Sequence, residues 1–348
     1  MMQILAPVNG SGQVPLMVKA GATELFCGYT DGSWMSDYNR PEADETGTQQ
    51  LSLNRRESPF ANITSYDELK KTAAKAGELG VPLYATVNAP YYTGRNYPFI
   101  LEYIRALQEA GVSGIVVADP GLIQAVGEQE MGIKIILSTC TQVANIAAAR
   151  FFQSLGVSRI TFPRHITLRE MARITAAVPE MEYECLILED RCVFDDGNCN
   201  TLHCAGEFCR DDWTTSYYAA AGEIGFQEAQ RLRQNETAYR QWVQPYVDET
   251  ADREGWQNNG CGLCAVPYVM RHCRMTALKV SGRNLPLIQK LKSLWHLGRA
   301  VEMAGRGADP ADIRREMQPH QVFPELCQLG YRCYFPDAFD GREAKKVS

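Results

Sequence analysis

Short apolar runs alternate with amphipathic stretches along the first 190 residues. Of all the features of the sequence, this alternation places the strongest limit on the fold that the chain can adopt. Between the runs, apolar residues recur at helical spacing, and several stretches end in glycine, as helices often do. A repeated strand–helix unit predicts right-handed crossovers and a parallel sheet. The seven candidate strands are QILAP (3–7), ELFCG (24–28), LYATVN (83–88), GIVVAD (114–119), KIILST (134–139), RITFP (159–163) and YECLIL (183–188).

An eighth unit follows after a long interruption, with a strand in TALKV (276–280) and a helix over 287–305. Eight units predict an α/β fold, a (β/α)8 TIM-like barrel with a cysteine-rich insertion between strands seven and eight. A doubly wound open sheet is the alternative, but no GxGxxG follows the first strand. The predicted parts are barrel units one to seven (1–190), the insertion (191–275) with a helical, aromatic-rich segment (211–260), unit eight (276–305) and a C-terminal tail (306–348).

Composition and charge are those of an ordinary globular protein, with 45% hydrophobic residues and a formal net charge of −6. No apolar run approaches the roughly 20 residues that span a bilayer. The opening MMQILAPVNG lacks the basic and apolar regions of a signal peptide, so we expect a cytoplasmic protein. The acidic balance gives no basic footprint and disfavours nucleic acid as a partner.

Twelve cysteines are many for a cytoplasmic chain, where thiols stay reduced and clusters of them bind metals or act in catalysis. Their wide spacing favours an iron–sulfur cluster over zinc, with unligated or redox thiols as a third possibility. No role follows for Cys327 or Cys333. The clustered cysteines are Cys192, Cys199, Cys204, Cys209, Cys261, Cys264 and Cys273.

Polar residues fall at or just past the ends of the predicted strands, where a barrel places its chemistry. A polar side chain there is a candidate for contact with a substrate. These residues are Asn88, Asp119, Ser138, Asn145, Arg164, Glu184, Lys279 and Arg283.

The most specific motif in the chain is E-x7-C-x6-C, which begins at Glu184 and places cysteines at 192 and 199. Other motifs are the opening ILAPVNG, the strand ends LYATVN, VVADPG and ILSTCTQVAN, and the terminal LKVSGR (278–283). Over most of residues 3–305, these motifs resemble those of the U32 peptidase family, also described as collagenase-like. The chain departs from the family pattern at His165, Asn198, Leu202 and Ser281.

The resemblance implies a 4Fe–4S cluster, with zinc as the alternative metal. The implied ligands are Cys192, Cys199, Cys209 and Cys264. Because the chain has one extra residue between Cys204 and Cys209, Cys204 remains an alternative to Cys209. Cys261 and Cys273 remain alternatives to Cys264.

The better-understood branches of that family resemble oxygen-independent hydroxylases of RNA bases or of ubiquinone precursors, with prephenate implicated as oxygen donor. We therefore expect an iron–sulfur enzyme that hydroxylates, or otherwise modifies by redox chemistry, an aromatic or base substrate. A U32-type peptidase is one alternative. The other is a non-catalytic metal-binding subunit that works with a second U32-family subunit.

A dicarboxylate such as prephenate requires arginine forks, for which Arg56, Arg164 and Arg283 are the candidates. Arg56 and Asn62 resemble the family's element in the loop after strand two. Glu184 and Asp119 are the candidates for acid–base work, and Lys279 is the third candidate catalytic residue. The remaining candidates for substrate binding are Asn88, Ser138 and Asn145.

Overall fold

A computed structural model describes the chain over residues 2–32, 53–56, 58–94, 96–192, 196–199, 217, 222, 224–250, 260–320 and 333–339. Cys204, Cys209 and Cys327 lie outside the described residues, as does most of the segment between 200 and 223.

Eight parallel strands form a closed barrel in the order of the chain, so the predicted (β/α)8 fold is confirmed. The barrel closes where Gln3 pairs with Ala277 and Ile4 with Leu278. The strands are β1 (Gln3–Pro7), β2 (Glu24–Cys27), β3 (Leu83–Val87), β4 (Gly114–Val117), β5 (Lys134–Leu137), β6 (Arg159–Thr161), β7 (Glu182–Leu188) and β8 (Ala277–Val280).

Helices follow the strands and cover the outside of the barrel. Several start at a side chain that accepts a hydrogen bond from the first turn. Thr167 and Glu170, for example, form a reciprocal capping box. The described helices are α1 (Val14–Lys19), α2 (Tyr66–Glu78), α3 (Tyr97–Glu109), α4 (Pro120–Glu128), α5 (Ile146–Ser154), α6 (Leu168–Ala177), α7 (Phe226–Thr250), α8 (Val266–His272), α9 (Leu287–Gly305) and α10 (Pro310–Met317).

Two apolar cores result from the alternation of side chains along the strands. A large core lies between the strands and the helices. A small one fills the barrel itself, with Leu5, Phe26, Tyr84, Val116, Ile136 and Ala277. The interior is therefore packed, and the chemistry is left to the loops at the C-terminal ends of the strands.

The long interruption lies between β7 and β8, as predicted, and contains α7 and α8. Cys261 pairs through its backbone with Leu188 at the end of β7 and with Cys333. Residues 333–339 therefore return to the barrel beside β7. Within the described residues, no helix is both long and apolar enough to cross a membrane.

Candidate active site

Four arginines and two aspartates meet at the C-terminal ends of the strands, which we call the barrel mouth. They come from four loops, those that follow β2, β6, β7 and β8. We call Arg55, Arg56, Arg164, Arg283, Asp190 and Asp196 the arginine cluster.

Asp196 joins two of the arginines. Its carboxylate forms an ion pair with Arg164 and lies 3.5 Å from Nη2 of Arg55. Arg55 also donates from Nη1 to the carbonyl oxygen of Asp196 at 2.8 Å and to Sγ of Cys140 at 3.2 Å. Burial by itself raises the pKa of Asp196, but Arg164 and Arg55 outweigh it and hold the pKa below its usual value. Asp196 is therefore ionised at neutral pH.

Asp190 holds the third arginine from a strained turn. Its carboxylate lies 3.3 Å from Nη2 of Arg56 and accepts from the amide of Gly282 at 2.8 Å. Glu189 and Asp190 have φ angles of 68° and 52°, which are unfavourable for residues other than glycine. Tyr334 donates its hydroxyl to the carbonyl of Glu189 and so helps to hold this turn.

Arg283 is buried at the mouth and is positioned by polar side chains. Its Nη1 donates to Oδ1 of Asn62 at 2.8 Å and to Oγ1 of Thr86 at 3.0 Å. A Cβ on Gly28 would lie 1.7 Å from Nη1 of Arg283 and 1.9 Å from Oδ1 of Asn62. Asn62 donates in turn to the carbonyl of Arg56 at 2.8 Å, which couples two of the arginines. Only glycine at 28 permits this arrangement.

The arginine cluster is locally positive although the whole chain has a net charge of −6. Four guanidinium groups face two carboxylates, which leaves an excess of two positive charges. Among the described residues, two buried donors at the mouth have no hydrogen-bond partner, Nε of Arg164 and Nε2 of Gln142. Both are free to donate to an anionic ligand.

Other predicted residues have structural partners at the strand ends. Asn88 accepts from the amide of Arg55 at 3.2 Å, and Ser138 accepts from the amide of Cys140 at 3.3 Å. Asn145 caps α5 and is exposed. Asp119 caps α4 and also accepts from the amide of Tyr92 at 2.8 Å and the hydroxyl of Tyr97 at 3.0 Å. The geometry assigns these side chains to loops and helix starts.

Glu184 and Lys279 lie deeper, inside the barrel. Glu184 is fully buried, accepts from Nζ of Lys279 at 2.7 Å and lies 3.4 Å from Nη1 of Arg159. Arg159 also pairs with Glu24 across the barrel. Burial favours the neutral acid, but Lys279 and Arg159 outweigh it and lower the pKa of Glu184. Two of the three predicted catalytic residues, Glu184 and Lys279, thus belong to one internal ionic network.

The family model described as Peptidase family U32 matches residues 12–310. The chain belongs to peptidase family U32. The match covers most of the barrel and the described cysteines up to Cys273.

Relatives of this U32 protein include proteins with two kinds of name. It is 27% identical over 328 residues to tRNA hydroxylation protein P of Haemophilus influenzae, covering 84% of this chain and 68% of that protein. It is 28% identical over 158 residues to the Escherichia coli protein of the same name, covering 45% of this chain and 34% of that one. A collagenase of Porphyromonas gingivalis is 27% identical over 150 residues, 43% of this chain and 30% of the collagenase. The chain therefore spans only part of the length of these relatives.

A solved structure with the same family name is also similar. The U32 peptidase Mk0906 aligns with a TM-score of 0.41 and 16% identity, covering 54% of this chain and 69% of that one.

Three of the four predicted cluster ligands in this U32 protein are described. Cys192 lies near enough to Arg164, and Cys199 to Arg55, for electrostatic interaction, so both are beside the arginine cluster. Cys264 is buried in a 3₁₀ turn before α8. Within the described part of the chain, no three His, Cys, Asp or Glu side chains are grouped so as to hold a metal ion. The described thiols do not by themselves form a cluster site.

Sequence reasoning missed several residues of the site. Arg55 adjoins the predicted Arg56, and Asp190 follows β7 directly, so their positions at strand ends and in that loop were available signals. Asp196 lies between Cys192 and Cys199, where the sequence was interpreted only in terms of its cysteines. Lys290 gave no signal, because nothing in the sequence distinguishes it from Lys292 on the same helix. It is 1% exposed and donates to Oδ1 of Asn9. Burial, with a smaller effect from Arg283, lowers its pKa to about 7.

Proposed function

We propose that this U32 protein is an enzyme that hydroxylates a base in tRNA with oxygen from an organic donor. The observation that carries the proposal is the arginine cluster, a local excess of positive charge at the mouth of a barrel in an otherwise acidic chain. Family membership and relatives named for tRNA hydroxylation support it.

The overall charge of −6 argued against nucleic acid, but local charge governs binding at short range. Salt screens charges on the outer surface of the barrel, whereas a recessed arginine acts directly on a phosphate or carboxylate beside it. The expectation from the sequence was an aromatic or base substrate, with nucleic acid disfavoured as a partner. We now favour a base in RNA.

The arginine cluster is proposed to bind and orient anionic groups. Arg56, Arg164 and Arg283 are suited to the two carboxylates of prephenate or to a phosphate of the substrate, because a guanidinium group donates in a planar fork. Asp190 and Asp196 hold these side chains in place beforehand, which lowers the entropic cost of binding. Nε of Arg164 and Nε2 of Gln142 supply further donors.

Burial lowers the pKa of Lys290 to about 7, but its amine donates to Oδ1 of Asn9 and Oε1 of Gln13, which supports a positioning role at the mouth. Catalytic roles for Glu184, Asp119 and Lys279 stay predictions. Their carboxylate oxygens and amine already have partners within the fold, which supports structural roles for all three.

A 4Fe–4S cluster remains part of the proposal, with Cys192, Cys199, Cys209 and Cys264 as ligands and Cys204 as the alternative to Cys209. Such a cluster supplies electrons for redox chemistry when bound. The position of Cys192 and Cys199 beside the arginine cluster supports a role close to the substrate. Zinc is the alternative occupant.

The decisive experiment is a nucleoside analysis of tRNA incubated anaerobically with the purified full chain and prephenate. We expect a nucleoside heavier by one oxygen atom, and its loss in Arg283→Lys and Arg164→Gln. Arg306→Gln is the matched control, since Arg306 is 74% exposed and lies just past the C-terminal end of α9. Cleavage of a collagen peptide without tRNA modification would favour the peptidase alternative. Activity that requires a co-purifying second family member would favour a subunit role.

A further inference from the structure

Two aromatic rings are exposed at the rim of the barrel mouth. Phe60 is 78% exposed and Tyr91 is 54% exposed. The carbonyl of Phe60 accepts from Asn9, just after β1, at 2.6 Å. Tyr91 precedes Tyr92, whose amide donates to Asp119, just after β4, at 2.8 Å. The two rings are therefore anchored to different sides of the mouth.

Residues 53–56, which include Arg55 and Arg56, and residues 58–62 contact these two sides. At the start of the first range, Tyr92 donates its hydroxyl to the carbonyl of Leu53 at 2.7 Å. In the second range is Phe60, held by Asn9. Along the chain, the arginines thus lie between the contact with Tyr92, the neighbour of Tyr91, and Phe60. A single exposed ring needs no explanation, but two that flank a positive cluster indicate a ligand surface.

The arginines themselves are recessed. The side chains of Arg55, Arg56 and Arg164 are only 10%, 18% and 15% exposed. A nucleotide that is stacked inside a duplex cannot reach donors at this depth, so it has to leave its neighbours to enter. The neighbouring bases are then left without a stacking partner on one side.

We propose that Phe60 and Tyr91 are stacking platforms for unpaired bases of single-stranded RNA, next to the nucleotide that enters the arginine cluster. This inference rests on the proposed function and specifies the form of its substrate, unpaired RNA rather than duplex. Aromatic rings stack on any base, while arginines attract the phosphates, and proteins that hold single strands combine the two.

Binding of a fluorescently labelled, mixed-sequence RNA of about ten nucleotides tests the proposal by anisotropy. The full chain is titrated with this RNA alone and with the same RNA in a duplex. We expect tighter binding of the single strand. Phe60→Ala and Tyr91→Ala each weaken it by roughly fivefold to a hundredfold, and Phe60→Tyr and Tyr91→Phe retain wild-type affinity. Duplex affinity stays the same in all four variants.

Phe151→Ala is the matched control, because Phe151 is also 54% exposed but lies on α5 in the outer wall. An equal loss of affinity in Phe151→Ala, or wild-type affinity in both alanine variants, overturns the stacking proposal. If the rim variants lose affinity while the wild type binds RNA without hydroxylating tRNA, the proposed function fails and the stacking surface stands. If the wild type hydroxylates tRNA while the rim variants bind RNA normally, the proposed function stands and the stacking proposal fails. No binding of single-stranded RNA by the wild type overturns this inference.

Discussion

Individual residues at the barrel mouth are held by unusual local conditions. Gly28 leaves room where any side chain would displace Arg283, and Lys290 buries an amine beside Asn9. Both conditions are unfavourable or restrictive for the fold alone. Features of this kind concentrate at functional sites, where the rest of the structure compensates for them.

Gly28→Ala should separate the site from the fold. The new methyl group would overlap Nη1 of Arg283 and Oδ1 of Asn62, so we expect a loss of about 1–3 kcal/mol in the free energy of unfolding. Anion binding at the mouth should weaken by at least about tenfold, because a loss of about 1.4 kcal/mol in binding free energy corresponds to a tenfold change in affinity. Gly12→Ala is the control, because nothing lies within 4 Å of its Cβ position. Titration with prephenate and urea unfolding measure the two effects, and normal binding by Gly28→Ala would contradict the assignment.

Lys290 should make stability depend on alkaline pH. Its pKa is about 7 in the folded chain, below the ordinary value of 10.5, so the unfolded chain binds this proton more readily. The free energy of unfolding therefore falls as pH decreases from about 10.5 to about 7, and stops falling below that range. Lys290→Met should remove up to roughly 5 kcal/mol of this dependence. Urea unfolding at several pH values measures it.

The exposed Lys292 on the same helix provides the control, as Lys292→Met. Equal pH dependence in the wild type and Lys290→Met would show that the amine of Lys290 is not the titrating group.

Among the secondary-structure elements, the starts of helices and the inserted loops determine where the candidate functional side chains lie. Asp119 caps α4 and Asn145 caps α5, so two residues predicted for catalysis and binding serve the elements that follow them. The same physical property, a short polar side chain just past a strand, suits both a cap and a ligand contact. Sequence position alone does not separate the two roles.

Asp119→Asn distinguishes a structural from an acid–base role. The amide oxygen still accepts from the amide of Leu122 and the hydroxyl of Tyr97, but the contact with the amide of Tyr92 is lost. We expect a loss of about 1–3 kcal/mol in stability and retained turnover in the folded fraction. Asp119→Ala should lose more, because the cap disappears as well. Full stability with abolished turnover in Asp119→Asn would establish acid–base work instead.

The cysteine insertion predicts the metal content of the protein. Anaerobically purified wild-type chain should contain about four irons and four sulfides. Cys192→Ser and Cys199→Ser should each lose most of this iron, whereas Cys185→Ala, in a buried strand position, should retain it. Iron and sulfide assays with an absorption spectrum measure the outcome. One zinc ion per chain without sulfide in the wild type would contradict the iron–sulfur prediction and indicate a structural zinc site in the insertion.

The whole barrel is linked by the internal ionic network. Glu184 on β7 contacts Lys279 on β8 and Arg159 on β6, and Arg159 reaches Glu24 on β2. Removing one partner of a buried pair costs far more than replacing both, because a charge is left uncompensated. The network therefore links strands β2, β6, β7 and β8 through buried charges.

Glu184→Gln should cost about 3–5 kcal/mol in the free energy of unfolding. The double variant Glu184→Leu with Lys279→Met should recover part of that loss. The pKa of Glu184 is lowered in the folded chain, so its contribution is present above the ordinary value and disappears as pH falls through the folded value. Wild-type stability should accordingly decrease in acid more steeply than that of Glu184→Gln. Similar acid profiles, with the exposed Glu302→Gln as reference, would place the pH dependence elsewhere.

The amino-acid sequence by itself determined the barrel, because strand and helix periodicity are local properties that repeat eight times here. Strand ends agreed to within two residues, and the long interruption after the seventh strand was evident from length alone. Motif spacing likewise indicated the family and the cysteine region.

Only the tertiary structure decided which polar side chains meet. Arg56 and Asp190 are far apart in the chain, as are Arg159 and Glu24, and their pairing depends on barrel closure. Closure also places the strand-end residues in different environments. Glu184 lies inside the barrel, Asp119 at the start of a helix and Arg164 at the mouth. Periodicity indicates which face of an element a residue occupies. The partners and the burial of a side chain depend on contacts between distant segments, and partners and burial in turn determine its charge and reactivity.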